Sequence, residues 1–206
     1  MELNTFSICG RCHRTGQLGV AVATAVENVG DLVPYIHPMA GVIANQAHLN
    51  PVLGSIGLQS LIDGKNAKDS LSDALSSDHD VKGNNKSYRQ LGIVDNNGNS
   101  AAWTGKNCDG WAGHLKGDNV SVQGNLLESE DTVINMYDTF QNTNDLDLKE
   151  RLMMSLESGQ EYGGDKRGGN RQSAALIVYS NKKHPLVDIR VNKHDTPVAE
   201  LRKNFN

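Results

Sequence analysis

The sequence predicts an α+β protein built as a four-layer αββα sandwich, two antiparallel sheets face to face between outer layers of helices. Three observations carry this. Short segments of period-two alternation open the chain, fill its middle and return near its end. Helical patterns arrive in pairs between those groups of strands, which argues against a parallel doubly wound sheet. The segment Ser173–Tyr179 is apolar without alternation, as in a strand covered on both faces.

The opening element is a hairpin. Thr5-Phe6-Ser7-Ile8-Cys9 alternates, Arg14-Thr15-Gly16-Gln17 turns, and Leu18 to Val26 returns. On the returning strand Gly19, Ala21, Ala23 and Ala25 share one face, and Leu18, Val20, Val22 and Val26 the other. The small-residue face admits a close neighbour. A further strand covers Ala40–Ala47. Asn50-Pro51 then reads as a cap with proline at the first helical position, Leu53, Ile56 (or Gly57) and Leu61 form one stripe, and Gly64 stops the helix. Asn66 opens a second helix with Ala67, Leu71, Ala74 and Leu75 on one side. The polar stretch 76–88, with Asp78, Asp80 and Gly83, reads as a surface loop. Strands Gln90–Asp95 and Ser100–Thr104 flank the turn Asn96-Asn97-Gly98. Val120–Gln123 is another strand. Ser129 caps a helix carrying Val133, Met136 and Phe140. Leu148, Leu152 and Leu156 mark its partner, which ends near Gly159. After the buried strand, Val187, Ile189 and Val191 alternate with polar residues, and a short helix at Val198–Lys203 closes the chain.

At 206 residues the chain is expected to form a single domain, residues 1–206. Twenty Lys and Arg against 24 Asp and Glu give a net charge of −4, which disfavours a nucleic-acid partner. No apolar run approaches the ~20 residues of a membrane helix. Met1-Glu2-Leu3-Asn4 lacks the features of a secretory leader, and three cysteines make no disulfide framework. The expectation is a cytoplasmic protein with a small-molecule substrate, no membrane and no cofactor. A homodimer is the default assembly.

Five groups of residues could carry chemistry. Cys9-Gly10-Arg11-Cys12-His13 has the spacing of a haem attachment site or half a zinc knuckle, but it runs into a hairpin turn and reads better as free thiols. Gly163-Gly164-Asp165-Lys166-Arg167-Gly168-Gly169-Asn170-Arg171-Gln172-Ser173 is a glycine-rich approach to a buried strand, placing an acid and two arginines beside a cleft, or serving as a rigid loop. Trp103, Trp111, His114, Gln123 and Asn125 suit a small polar ligand, or a core with satisfied amides. Gln46-Ala47-His48-Leu49-Asn50 sits at a strand-to-helix junction, where Asn50 also serves as the cap. Thr5 heads the first strand. Its hydroxyl is a weak nucleophile unless it starts the chain, when its own α-amine can act as base.

Taken together, Thr5-Phe6-Ser7-Ile8, Gly19-Val20-Ala21-Val22-Ala23, Val33-Pro34, Ala44-Asn45-Gln46-Ala47, Asn50-Pro51, Gln123-Gly124-Asn125, Gly163-Gly164-Asp165-Lys166-Arg167-Gly168 and Arg171-Gln172-Ser173 resemble the domain-of-unknown-function family 1028, over nearly the whole chain. That family is similar in fold to the N-terminal-nucleophile hydrolases, and the resemblance implies amide hydrolysis by an N-terminal threonine. It would make Thr5 the nucleophile, with Asp165 and Arg167 holding it. Asn125 or Gln123, with backbone N–H groups, would stabilise the oxyanion. Gln46, Asn50, Trp103, His114, Gln123, Gln172 and Ser173 would line the substrate pocket.

One departure stands out. Members of the family typically begin Met-Thr-Phe-Ser-Ile, whereas four residues precede Thr5 here, and Glu2 normally blocks methionine removal. Gly168-Gly169-Asn170-Arg171 also carries an extra glycine. The leading expectation is an amidohydrolase acting on a small polar amide, activated by a cut between Asn4 and Thr5. The alternatives are a non-catalytic small-ligand-binding protein and a hydrolase whose metal is held by His48, His114 or Cys108.

Overall fold

Two antiparallel sheets lie face to face in the computed structural model, which describes residues 2, 3, 5–78, 85–164 and 171–205, with backbone alone at 2, 3 and 85. The six-stranded sheet is built around the opening hairpin, β2 (Thr5–Arg11) and β3 (Leu18–Thr24). β3 pairs onward with β10 (Gln172–Tyr179) and then β11 (Pro185–His194). β2 pairs with β9 (Val120–Leu127) and then β8 (Trp111–Gly117). The other sheet has β5 (Gly41–His48), β6 (Arg89–Asp95) and β7 (Ser100–Thr104) in sequence order. β1 (Glu2–Leu3) and β4 (Pro34–His37) both join the free side of β5.

Period-two alternation explains the layers. On β2, Phe6 and Ile8 point outward to helices α4 (Asp131–Asn142) and α5 (Leu148–Glu161), where Met136, Phe140, Leu152 and Leu156 complete an apolar core. Cys9 points the other way, and on β3 so do Leu18, Val20 and Val22. They meet Val42, Ala44 and Val94 of the facing sheet. The small face of β3 therefore receives α5, which packs on Ala21 and Ala23. A third core lies outside the five-stranded sheet, where Ile43, Leu91 and Ile93 pack on Leu53, Leu61 and Ala74 of α2 (Pro51–Ile62) and α3 (Ala67–Ser76). α6 (Pro197–Lys203) covers β10 and β11. The predicted αββα sandwich is the observed architecture.

Some elements differ from the sequence expectation. The short strands β1 and β4, the single helical turn α1 (Val29–Leu32) and the edge strand β8 have too little periodicity to be read. The supposed surface loop 76–88 starts inside the protein. The Asp78 side chain is 0% exposed, and a 3-10 turn at Asn85–Tyr88 leads into β6. Glu130, not Ser129, holds the N-cap of α4, although Ser129 Oγ accepts the Asp131 N–H at 3.2 Å one residue earlier.

The two sheets approach closely where Gly92 faces Gln123. A Cβ at Gly92 would fall 1.8 Å from Gln123 Oε1. Replacing Gly92 with alanine should force Gln123 off its partners and cost about 1–3 kcal/mol, as overpacking generally does. Urea denaturation of the Gly92→Ala variant checks this.

Candidate active site

Strand register brings one set of strand ends to one end of the sandwich. Thr5 lies opposite Thr24, and Thr24 opposite Ser173. In the facing sheet Gln46 lies opposite Gln90, and Gln90 opposite Thr104. Thr5, Gln46 and Gln90 are all 0% exposed, and Asn125 is 1% exposed.

Their side chains form one continuous hydrogen-bonded chain. Gln46 Nε2 donates to the Thr5 carbonyl at 3.2 Å and to Gln90 Oε1 at 2.8 Å, while Gln46 Oε1 accepts from Ser7 Oγ at 2.6 Å. Asn125 Nδ2 donates to the same Gln90 oxygen at 2.8 Å. Gln90 Nε2 reaches Thr104 Oγ1 at 2.9 Å and the carbonyls of Gly113 and Gly124 at 3.1 and 2.8 Å. Thr104 Oγ1 lies 2.8 Å from His114 Nδ1. Burial, aided by the charge of Lys116, lowers the His114 pKa and favours the neutral ring. The Thr104 hydroxyl, accepting from Gln90, can then donate to Nδ1 and leave the proton on Nε2.

The Thr5 hydroxyl donates to Thr24 Oγ1 at 3.3 Å. Immediately before it the chain changes sheets, since Leu3 pairs with Ala47 and Thr5 with Thr24. The glycine-rich approach has both described flanks at this end. A Cβ on Gly164 would lie 3.1 Å from Phe6 Cε1, and Ser173 re-enters opposite Thr24. Asp165 and Arg167, and the extra glycine beside them, lie outside the described residues.

The other expected residues have defined roles. Gln123 is 0% exposed at the seam between the sheets. Its amide donates to the Ser7 carbonyl and Oγ, and its oxygen accepts from Ser121. Asn50 caps α2 through the Val52 N–H at 3.2 Å and donates to Asp78 Oδ1 at 3.0 Å. Ser173 Oγ donates to the Val26 carbonyl and accepts from the Val29 N–H, so it ties down α1. Gln172 Nε2 donates to the Asp195 carbonyl. Trp103 packs with the outer core beside α3, not on the face between the sheets. Cys9 and Cys12 fall in different cores on opposite faces of the sheet, which separates them as a thiol pair. Among the described residues no three His, Cys, Asp or Glu side chains cluster as metal ligands; the His48 ring packs at a tilt against Tyr88 and Cys108 Sγ lies 3.5 Å from the Arg89 carbonyl.

Two features escaped the sequence reading. Arg89 grips Asp78 with two hydrogen bonds, Nε to Oδ2 at 2.9 Å and Nη2 to Oδ1 at 3.0 Å, and gives a third to the His48 carbonyl at 2.5 Å. Burial opposes ionisation of Asp78, but the bonds from Arg89 and Asn50 outweigh it and hold its pKa below the ordinary carboxylate value. Gln90 is the hub of the amide chain. Its only sequence signal is a polar residue on an inward strand position.

The fold and site define a class: an αββα protein with a threonine heading a central strand at a buried amide cluster. The chain belongs to the family of unknown function DUF1028, whose model matches residues 5–201. The crystal structure of protein SPO2555 from Silicibacter pomeroyi, of the same family, is 30% identical to it with a TM-score of 0.85, covering 98% of this chain and 88% of that one. Anbu, the ancestral beta-subunit, from Yersinia bercovieri aligns at 11% identity and a TM-score of 0.47, over 97% and 92% of the two chains. Anbu from Hyphomicrobium sp. strain MC1 aligns at 11% and 0.44, over 97% and 93%. No curated protein matches the chain.

Two outcomes are expected. Asp78→Ala removes a buried carboxylate that takes two hydrogen bonds from Arg89 and should cost about 3–5 kcal/mol in chemical denaturation. The lowered His114 pKa contributes stability that is complete above the unfolded value of ~6.5 and is lost as pH falls through the folded value. Stability measured on acidification below pH ~6.5 should therefore fall less steeply in His114→Gln than in the parent.

Proposed function

We propose that this protein is an amidohydrolase acting on a small polar amide, with the Thr5 hydroxyl as nucleophile. The observation that carries it is the position of Thr5: it heads a central strand, is fully buried, and has its carbonyl held by Gln46, a member of the amide cluster. Hydrolysis of the Asn4–Thr5 bond would free the α-amine as a general base of pKa ~8. The amine takes the hydroxyl proton, Thr5 Oγ attacks the substrate carbonyl, and the proton passes to the leaving nitrogen. Water then hydrolyses the acyl ester. Asn125 and neighbouring backbone N–H groups would serve the oxyanion, each donor being worth roughly 3–4 kcal/mol. Asp165 and Arg167 would hold the freed terminus, and Gln46 and Gln172 would bound the pocket. A homodimer in the cytoplasm goes with this reading, with no nucleic acid or membrane partner. No helix among the described residues is long and apolar enough to cross a membrane.

A second reading is a non-catalytic small-ligand-binding protein. It is favoured by the pairing of Leu3 with Ala47, which leaves the Thr5 nitrogen inside a peptide bond. Intact-mass analysis and an ammonia-release assay over a panel of small primary amides distinguish the two. The hydrolase reading expects a species beginning at Thr5, and turnover that falls roughly 10³-fold or more in Thr5→Ala. Turnover by the full-length chain that survives Thr5→Ala would refute it. Saturable binding without turnover, indifferent to Thr5→Ala, would establish the second reading.

A further inference from the structure

A cavity of about 310 Å³ opens beside β7, lined by Lys86, Ser87, Trp103, Thr104 and Lys106. Its walls are fixed by hydrogen bonds between two segments distant in sequence. The Trp103 indole N–H donates to the Lys86 carbonyl at 2.7 Å, the Asn107 N–H to the Ser87 carbonyl at 2.6 Å, and the Gly105 N–H to the Arg89 carbonyl at 2.9 Å. Gly105 permits this approach, because a Cβ there would fall 2.4 Å from the Lys86 and Ser87 backbone. The cavity is therefore formed before any ligand arrives, and its volume is that of a small-molecule pocket.

Its chemistry is selective. The indole supplies a flat apolar wall whose orientation is locked by its tied N–H. Among the described residues the lining holds two ammonium-bearing side chains and no carboxylate. Among the described residues neither lysine is held in an ion pair. Asp78, the carboxylate that feels Lys86, is committed to Arg89 and Asn50. In a chain of net charge −4, this is a local basic spot against an aromatic surface.

We propose that this cavity binds a small organic anion with a flat apolar body and a carboxylate end, the body lying on Trp103 and the carboxylate held by Lys86 and Lys106. Binding here does not depend on Thr5 or on turnover, so it stands apart from the hydrolase reading.

The test uses the full chain, with benzoate as probe and benzamide and inorganic phosphate as controls, followed by calorimetry and by the Trp103 indole N–H resonance, assigned with Trp111→Phe. A fragment of this size should saturate at millimolar concentration. Benzoate should shift the Trp103 resonance and leave that of Trp111 in place. A Lys86→Met/Lys106→Met variant should bind it about fivefold or more weakly, in line with the worth of two exposed ion pairs. Far-ultraviolet circular dichroism of the variant checks that it is folded. Absence of saturable binding, equal affinity for benzamide or phosphate, or an unchanged affinity in the folded double variant would each overturn the proposal.

Discussion

The sheets are held in one relative position by amides buried between them. Apolar faces attract without direction and tolerate sliding. Hydrogen bonds between fully buried amides do not, since each donor or acceptor left unsatisfied costs about 1–3 kcal/mol. Gln46 commits both of its hydrogens and its oxygen, to Thr5, Gln90 and Ser7. Gln90 crosses from β6 to carbonyls on β8 and β9. Gln123 locks onto Ser7 beneath a residue that has to be glycine. A shift of one sheet against the other by one residue would break together the bonds that cross the seam, from Gln46 to Thr5 and Ser7 and from Gln90 to Gly113 and Gly124. The position of Thr5 thus follows from the packing of the sandwich, because the amide that holds its carbonyl belongs to the opposite sheet.

The backbone carries strain at the same end. Ala47 has φ 64° and Leu126 φ 51°, both in the left-handed region and neither a glycine. Such a residue costs about 1–2 kcal/mol. The two follow directly on Gln46 and Asn125, the amides that meet at Gln90 Oε1. On β5 the left-handed residue separates the amide that faces the seam from His48, whose ring meets that of Tyr88 at 5.1 Å between centroids and a 48° tilt. On β9 it coincides with the register shift against β8, and the Leu126 N–H turns to the Asp109 carbonyl. Strain retained beside buried polar groups is the pattern expected of a functional site.

The architecture was legible because it rests on periodicity and punctuation. The alternation of β2 and β3, the Asn50-Pro51 and Asn66 caps and the uninterrupted apolar run of β10 each state a local preference that the packing then uses. Most of the amide site was legible as residue types, since Gln46, Gln123 and Asn125 are costly to bury without purpose. What could not be read was their partnership. Gln90 joins residues far apart in the chain, and no spacing rule connects them. Asp78 was misplaced for a related reason: a polar segment reads as solvated unless its counter-charge is known, and Arg89 lies across the intervening stretch. Trp103 was grouped with Gln123 and Asn125 as a pocket wall or a core residue, and its register with Leu91 puts it on the outer side of the sheet.

The hydrolase and binding readings differ by one peptide bond, and the fold bears on that bond asymmetrically. The described side-chain contacts on Thr5 fall on its carbonyl and its hydroxyl: Gln46 donates to the carbonyl and Thr24 Oγ1 accepts from the hydroxyl. What precedes it is a two-residue strand added to β5. Two paired residues contribute little cohesion next to the full-length pairing of β5 with β6. Loss of the leading segment would therefore leave the described anchors of the threonine in place, while converting an amide nitrogen, which cannot take a proton at neutral pH, into an amine that can.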